Sequence, residues 1–129
     1  MATLTPTLTL VSTDALTDSL NLSSTDSLSV LGKSKRFTHV CSATKANLLL
    51  AADYTKSYVY LKNNDAAIVI HIGMDTQADD SIDDDATDLF IELAAGEFAF
   101  FPWSSTYNLH VDAASGTPTL EVMIFQAAA

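Results

Sequence analysis

Cysteine occurs once, at Cys41, so no internal disulfide staples this chain and its fold does not depend on an oxidising compartment. Glycine occurs four times, too rarely for a phosphate-cradling loop. Bases are outnumbered: six Lys and Arg stand against sixteen Asp and Glu, a formal charge of -10. That balance argues against nucleic acid, whose phosphates need a concentration of cations, and an acidic membrane surface would repel the chain. No run is long and apolar enough to span a bilayer. Met1-Ala2-Thr3-Leu4-Thr5-Pro6 lacks the basic start and apolar core of a secretion signal, so synthesis in a cytoplasm is expected. No Ser-His-Asp order or Cys pair is present, and helix formers on a helical period are missing. We expect no enzymatic activity and no cofactor.

What is there is strand. Tyr58-Val59-Tyr60-Leu61 stops at Lys62-Asn63-Asn64-Asp65, and Ala67-Ile68-Val69-Ile70-His71-Ile72 stops at Gly73. Leu89 to Leu93 stops at Ala94-Ala95-Gly96, Phe98 to Phe101 at Pro102, and Tyr107 to Val111 near Ser115-Gly116. Leu120 to Phe125 forms the last run. β-branched and aromatic residues suit a pleated surface, and short runs at this spacing indicate a sandwich or barrel. Val59 and Leu61 share one face of their strand, Tyr58 and Tyr60 the other. Ile68, Ile70 and Ile72 form a core face, with Val69 and His71 opposite. Apolar residues on both faces ask for a partner layer on each side: a subunit interface or a layer of loops.

The composition shifts near Lys33. Residues 3 to 30 are rich in Ser, Thr, Asp and Leu and hold no aromatic residue. Thr13-Asp14-Ala15-Leu16, Thr17-Asp18-Ser19-Leu20 and Thr25-Asp26-Ser27-Leu28 repeat one short unit. Leu8 and Leu10 alternate with Thr, and Leu20 and Leu22 with polar residues, as in half-buried strands. We therefore divide the chain into an N-terminal extended arm or strand pair, residues 1-32, and a compact sandwich, residues 33-129. Leu8, Leu10, Leu16, Leu20, Leu22 and Leu28 are the interface candidates. The arm either docks on a neighbouring chain by β-augmentation or forms the first strands of its own sandwich. Lys33-Ser34-Lys35-Arg36 reads as a solvated turn before a strand.

Other features carry weaker chemistry. The segment Asp75 to Asp88 holds seven of the sixteen acids. Clustered carboxylates suit a hard cation, with Asp79, Asp80, Asp83 and Asp85 as first candidates, but the spacing is not that of a calcium loop. A solvated connection without metal is the expectation. His39, His71 and His110 lie on different strands, and nothing in their spacing makes them converge on a metal. Cys41 reads as a buried structural thiol.

Gly96-Glu97-Phe98-Ala99-Phe100-Phe101-Pro102-Trp103 resembles the second motif of cupins in its Gly and Pro. Tyr107 stands where that motif carries a histidine ligand, and His71-Ile72-Gly73 lacks the His-x-His pair of the first motif. The resemblance implies a jelly-roll-like antiparallel β-sandwich without cupin metal chemistry. A glycan-binding sandwich is the other alternative, using exposed aromatics such as Trp103 or Tyr107.

A broader resemblance spans most of the chain. Thr5-Pro6-Thr7-Leu8-Thr9-Leu10 with the Thr-Asp-Ser-Leu units, the strands at Tyr58 to Asn63 and Ile68 to Gly73, Phe90 to Pro102, and the last strand Leu120 to Phe125 resemble small virion proteins of tailed bacteriophages, marine ones especially. That resemblance implies a structural part of the particle: a capsid decoration (cement) protein on the shell surface, or a tail or fibre component. It implies the major capsid protein as partner and a homo-oligomer, for which a trimer fits threefold sites.

Overall fold

The computed structural model describes residues 2-74 and 89-128. It is almost wholly β, and every strand pairing is antiparallel. Among the described residues eleven strands run β1 (Ala2–Leu4), β2 (Thr7–Ser12), β3 (Leu20–Thr25), β4 (Leu28–Val40), β5 (Ala46–Leu49), β6 (Ser57–Asn63), β7 (Ile70–Met74), β8 (Leu89–Leu93), β9 (Phe98–Trp103), β10 (Leu109–Ala113) and β11 (Thr119–Ala127). One 3-10 turn, Ala51–Asp53, separates β5 from β6. No helix among the described residues is long and apolar enough to cross a membrane.

Two sheets share one core. The larger has the order β1-β4-β11-β6-β9 and the smaller β5-β10-β7-β8, while β2 and β3 pair only with each other. Alternation decides which side chains meet between the sheets. Val59 and Leu61 of β6, Leu120, Val122 and Ile124 of β11, and Trp103 of β9 point inward from the larger sheet. Ile70 and Ile72 of β7, Leu109, Val111 and Ala113 of β10, Leu49 and Leu93 meet them from the smaller. Each fully buried aliphatic side chain contributes about 1.5–3 kcal/mol by leaving water. The expected inward face of β6 and the isoleucine face of β7 both hold, although Ile68 precedes the strand and packs at the rim of the core.

Asn63 closes one end of the sandwich from a fully buried position. Its Nδ2 donates to the carbonyls of Ile68 (2.7 Å) and Leu93 (3.0 Å), and its Oδ1 accepts from the Asp65 amide (3.0 Å). One side chain thus ties β6 to β8 and shapes the turn into β7. In that turn the Asp65 carboxylate accepts from the Ala67 and Ile68 amides, which hold its pKa below the usual carboxylate range.

The basic cluster departs from expectation. Lys33, Lys35 and Arg36 lie inside β4, not in a turn before it. β1 covers only Leu28, Ser29 and Val30, so beyond them no described strand pairs with β4 on the side away from β11. Charged side chains suit such an open edge, because they discourage pairing with stray strands. Gly32, at φ 71°, lies within the register slip between the β11 pairings at Val30 and Ser34, and its left-handed backbone favours glycine.

Candidate assembly surface

The β2–β3 hairpin is built from the Leu/Thr alternation. Leu10 opposes Leu22, Leu8 opposes Ser24 and Ser12 opposes Leu20, so Leu8, Leu10, Leu20 and Leu22 share one face. Thr7, Thr9, Val11, Asn21, Ser23 and Thr25 take the other, polar but for the exposed Val11, and there the Thr7 and Thr25 hydroxyls bond at 3.0 Å. The repeated units occupy the two ends of this ribbon. The first two form its tip, where the Ser12 hydroxyl accepts from the Asp14 and Ala15 amides. The third forms its base, where the Asp26 amide donates to the Pro6 carbonyl (3.1 Å) and the Asp26 carboxylate accepts from the Ser27 amide (2.7 Å).

Among the described residues no other strand packs extensively against this hairpin. Leu8, Leu10 and Leu22 remain 47%, 42% and 45% exposed, and Leu16 at the tip 60%. Leu20 and Leu28 are half-buried. All six interface candidates therefore keep contact with solvent, and four of them share one face of the ribbon. A two-stranded ribbon in water is marginal by itself, so an uncovered leucine face is an incomplete packing arrangement.

The outer face of the larger sheet carries a second exposed apolar surface. Registers place Phe125, Tyr58 and Pro102 in one cross-strand row, and Met123, Tyr60 and Phe100 in the next. Tyr58 stacks on Phe100 (centroids 6.5 Å apart) and Tyr60 on Phe98 (6.2 Å). Phe98 is 59% exposed and Phe100 39%. The hairpin base and this face bound a groove of about 560 Å³, lined by Pro6, Leu8 and Leu28 on one side and by Tyr58, Tyr60 and Phe100 on the other. Sequence alternation separated Tyr58 and Tyr60 from the core but did not reveal that Phe98 and Phe100 join them. The signal was available, since both share the parity opposite to Ala99 and Phe101.

Charge frames the face lightly. Arg36 Nη2 donates to Glu121 Oε1 at 2.7 Å and Nε to the same oxygen at 3.1 Å, across the β4–β11 pair. Arg36 is largely exposed, so this pair adds little stability. Lys62 shares the face at the far end, beside Phe98.

The remaining candidates lie elsewhere. His39 is on β4 of the larger sheet, and His71 and His110 are on the smaller. His71 Nδ1 lies 2.8 Å from Asp112 Oδ1, and its Nε2 lies 4.0 Å from Glu92. Among the described residues no three His, Cys, Asp or Glu side chains are placed to hold a metal. Burial lowers the pKa of His39. Cys41 is buried, and desolvation, aided by the charge of Asp112, pushes its thiol up to about 11. Asp79, Asp80, Asp83 and Asp85 lie outside the described residues. Trp103 is not an exposed aromatic: it is 2% exposed, and its Nε1 donates to the Tyr107 carbonyl (3.1 Å). Tyr107 itself is 39% exposed.

No protein-family model and no curated protein matches this chain. A solved structure from Bacillus, described as endospore appendages that form a novel family of disulfide-linked pili, is similar in fold. The match covers 78% of this chain and 91% of that one, at a TM-score of 0.53 and 13% identity.

Proposed function

We propose that this chain is a non-enzymatic structural subunit of a tailed-bacteriophage particle, a capsid decoration protein that binds the assembled shell through its N-terminal hairpin. The observation that carries the reading is the leucine face of β2–β3, which is amphipathic in pattern yet uncovered. An arm with such a face gains its free energy only when a neighbour covers it. Many equivalent weak sites on a shell then add by avidity. A subunit that binds only assembled neighbours stabilises the shell by linkage.

The strand order supports a jelly roll as the body. β4-β11-β6-β9 facing β5-β10-β7-β8 is the interleaving expected of eight strands in two four-stranded layers, with β1 added at one edge. Folds of this kind host many functions, so the body alone does not decide between them.

A tail- or fibre-associated position is the second reading. The likeness to a pilus structure favours it, since a related fold serves there in a fibrous assembly. The disulfide linking named for those pili has no counterpart in an exposed thiol here, because Cys41 is buried.

The test is co-sedimentation of purified protein with expanded shells that lack it. The full chain is expected to bind and to raise the temperature at which the shells come apart, and Leu10→Asp/Leu22→Asp to do neither. Equal binding by that variant removes the hairpin from the mechanism.

A further inference from the structure

We infer that the hairpin of one copy docks its leucine face on the aromatic outer face of a second copy, so that the chain self-associates head to tail. This goes beyond shell binding: in the absence of a shell the same leucine face is covered by another molecule of the chain, so the two neighbours compete for it, and the inference rests on the proposed function only in treating the hairpin as an assembly device.

Three observations select a second copy as the occupant. The chain's own hairpin reaches the groove only with its base, Pro6 to Leu8 and Ser24 to Asp26. Leu10, Leu20 and Leu22, farther along the same face, do not line it, so the groove is bounded on one side but not filled. Next, the two apolar surfaces are of similar extent. The hairpin offers Leu8, Leu10, Leu20 and Leu22 over three cross-strand rows of two strands, and the sheet offers two rows of mostly aromatic and sulfur-bearing side chains across the three strands β11, β6 and β9. Such rows interdigitate as stacked sheets do.

Charge points the same way. Residues 1-32 carry Asp14, Asp18 and Asp26 and no base. The sheet face carries Arg36 and Lys62 against one acid, Glu121. The arm is acidic and the sheet face itself carries two bases against one acid, with Asp26 of the chain's own hairpin base at the groove rim, in a chain whose overall charge of -10 otherwise opposes self-contact. Complementary charge across a rim steers encounter and fixes register.

Donor and acceptor patches differ, so the contact is heterologous. Each copy retains a free hairpin at one end and a free face at the other, and the chain of contacts closes into a ring or extends.

The experiment is sedimentation velocity on the purified full chain without any particle present. Two variants separate the patches: Leu10→Asp/Leu22→Asp on the hairpin and Phe98→Asp/Phe100→Asp on the face. Circular dichroism checks that both stay folded. Should the face pair unfold the protein, Phe98→Glu alone, at the most exposed aromatic side chain of that face, replaces it. The wild-type chain is expected to form oligomers. Each variant alone is expected to run as a monomer, its self-association weakened about tenfold or more. The two mixed together are expected to form a one-to-one pair, because one sound hairpin then meets one sound face. A wild-type chain that stays monomeric at every concentration, a variant that still assembles alone, or a mixture that stays monomeric overturns the inference. Shell binding by a chain that never self-associates would sink this inference and leave the proposed function standing.

Discussion

Leu10 and Leu22 sit directly opposite each other across the β2–β3 hairpin, and each leaves more than two-fifths of its surface in water. A cross-strand leucine pair normally forms under a neighbouring layer. Here no described strand of the same chain supplies one.

That pair gives the first prediction. Leu10→Ser/Leu22→Ser removes little buried surface from the isolated chain. Its unfolding free energy in urea is expected to stay within about 0.5 kcal/mol of wild type. Loss of more than that would mean the hairpin is part of the sandwich's own core.

Asn63 is expected to be structurally costly to replace. Asn63→Ala leaves the Ile68 and Leu93 carbonyls without its amide and the Asp65 amide without its acceptor. Each buried group left unmatched costs about 1–3 kcal/mol. Denaturant titration should therefore show a loss of about 2 kcal/mol or more, far beyond that of an exposed substitution such as Asn64→Ala.

Cys41 should be chemically silent in the folded chain. Burial holds the thiol protonated, with a pKa of about 11, so little thiolate is available near neutral pH. Iodoacetamide is expected to label it in urea and to leave the native chain unlabelled. Reductant is expected to leave any assembly unchanged. Because the folded pKa lies above the ordinary 9.0, the stability tied to this thiol is present at lower pH and is lost as pH rises from 9 through 11.

His39 runs in the opposite direction. Burial lowers its pKa from 6.5, so the unfolded chain takes up the proton more readily than the folded one. Above that range the imidazole is neutral in both states. As pH falls below 6.5 and through the lower folded value, stability is lost. His39→Gln is expected to flatten this part of the acid limb in thermal melts taken at stepped pH. An unchanged slope would show that His39 is not responsible.

Much of this architecture was legible in the sequence, for identifiable reasons. Val59 and Leu61 against Tyr58 and Tyr60, and Ile70 and Ile72 against His71, follow from a period of two. The same alternation gave the leucine face of the hairpin. Lys33 to Arg36 misled because a run of charges resembles a turn, when here it marks an open strand edge in β4. Trp103 misled because it follows Pro102, which suggests an exposed end. Its parity with Ala99 and Phe101 turns it inward instead. The groove was not legible, since it depends on how the hairpin base sits against a sheet formed by strands far apart in sequence.

A cryo-electron microscopy reconstruction of the intact particle tests the central claim most directly. The account predicts a double-layered β body on the outer surface of the shell, with the β2–β3 leucine face covered by a neighbouring molecule. A reconstruction in which this body is absent from the particle, or in which the hairpin stands free in solvent, would contradict it.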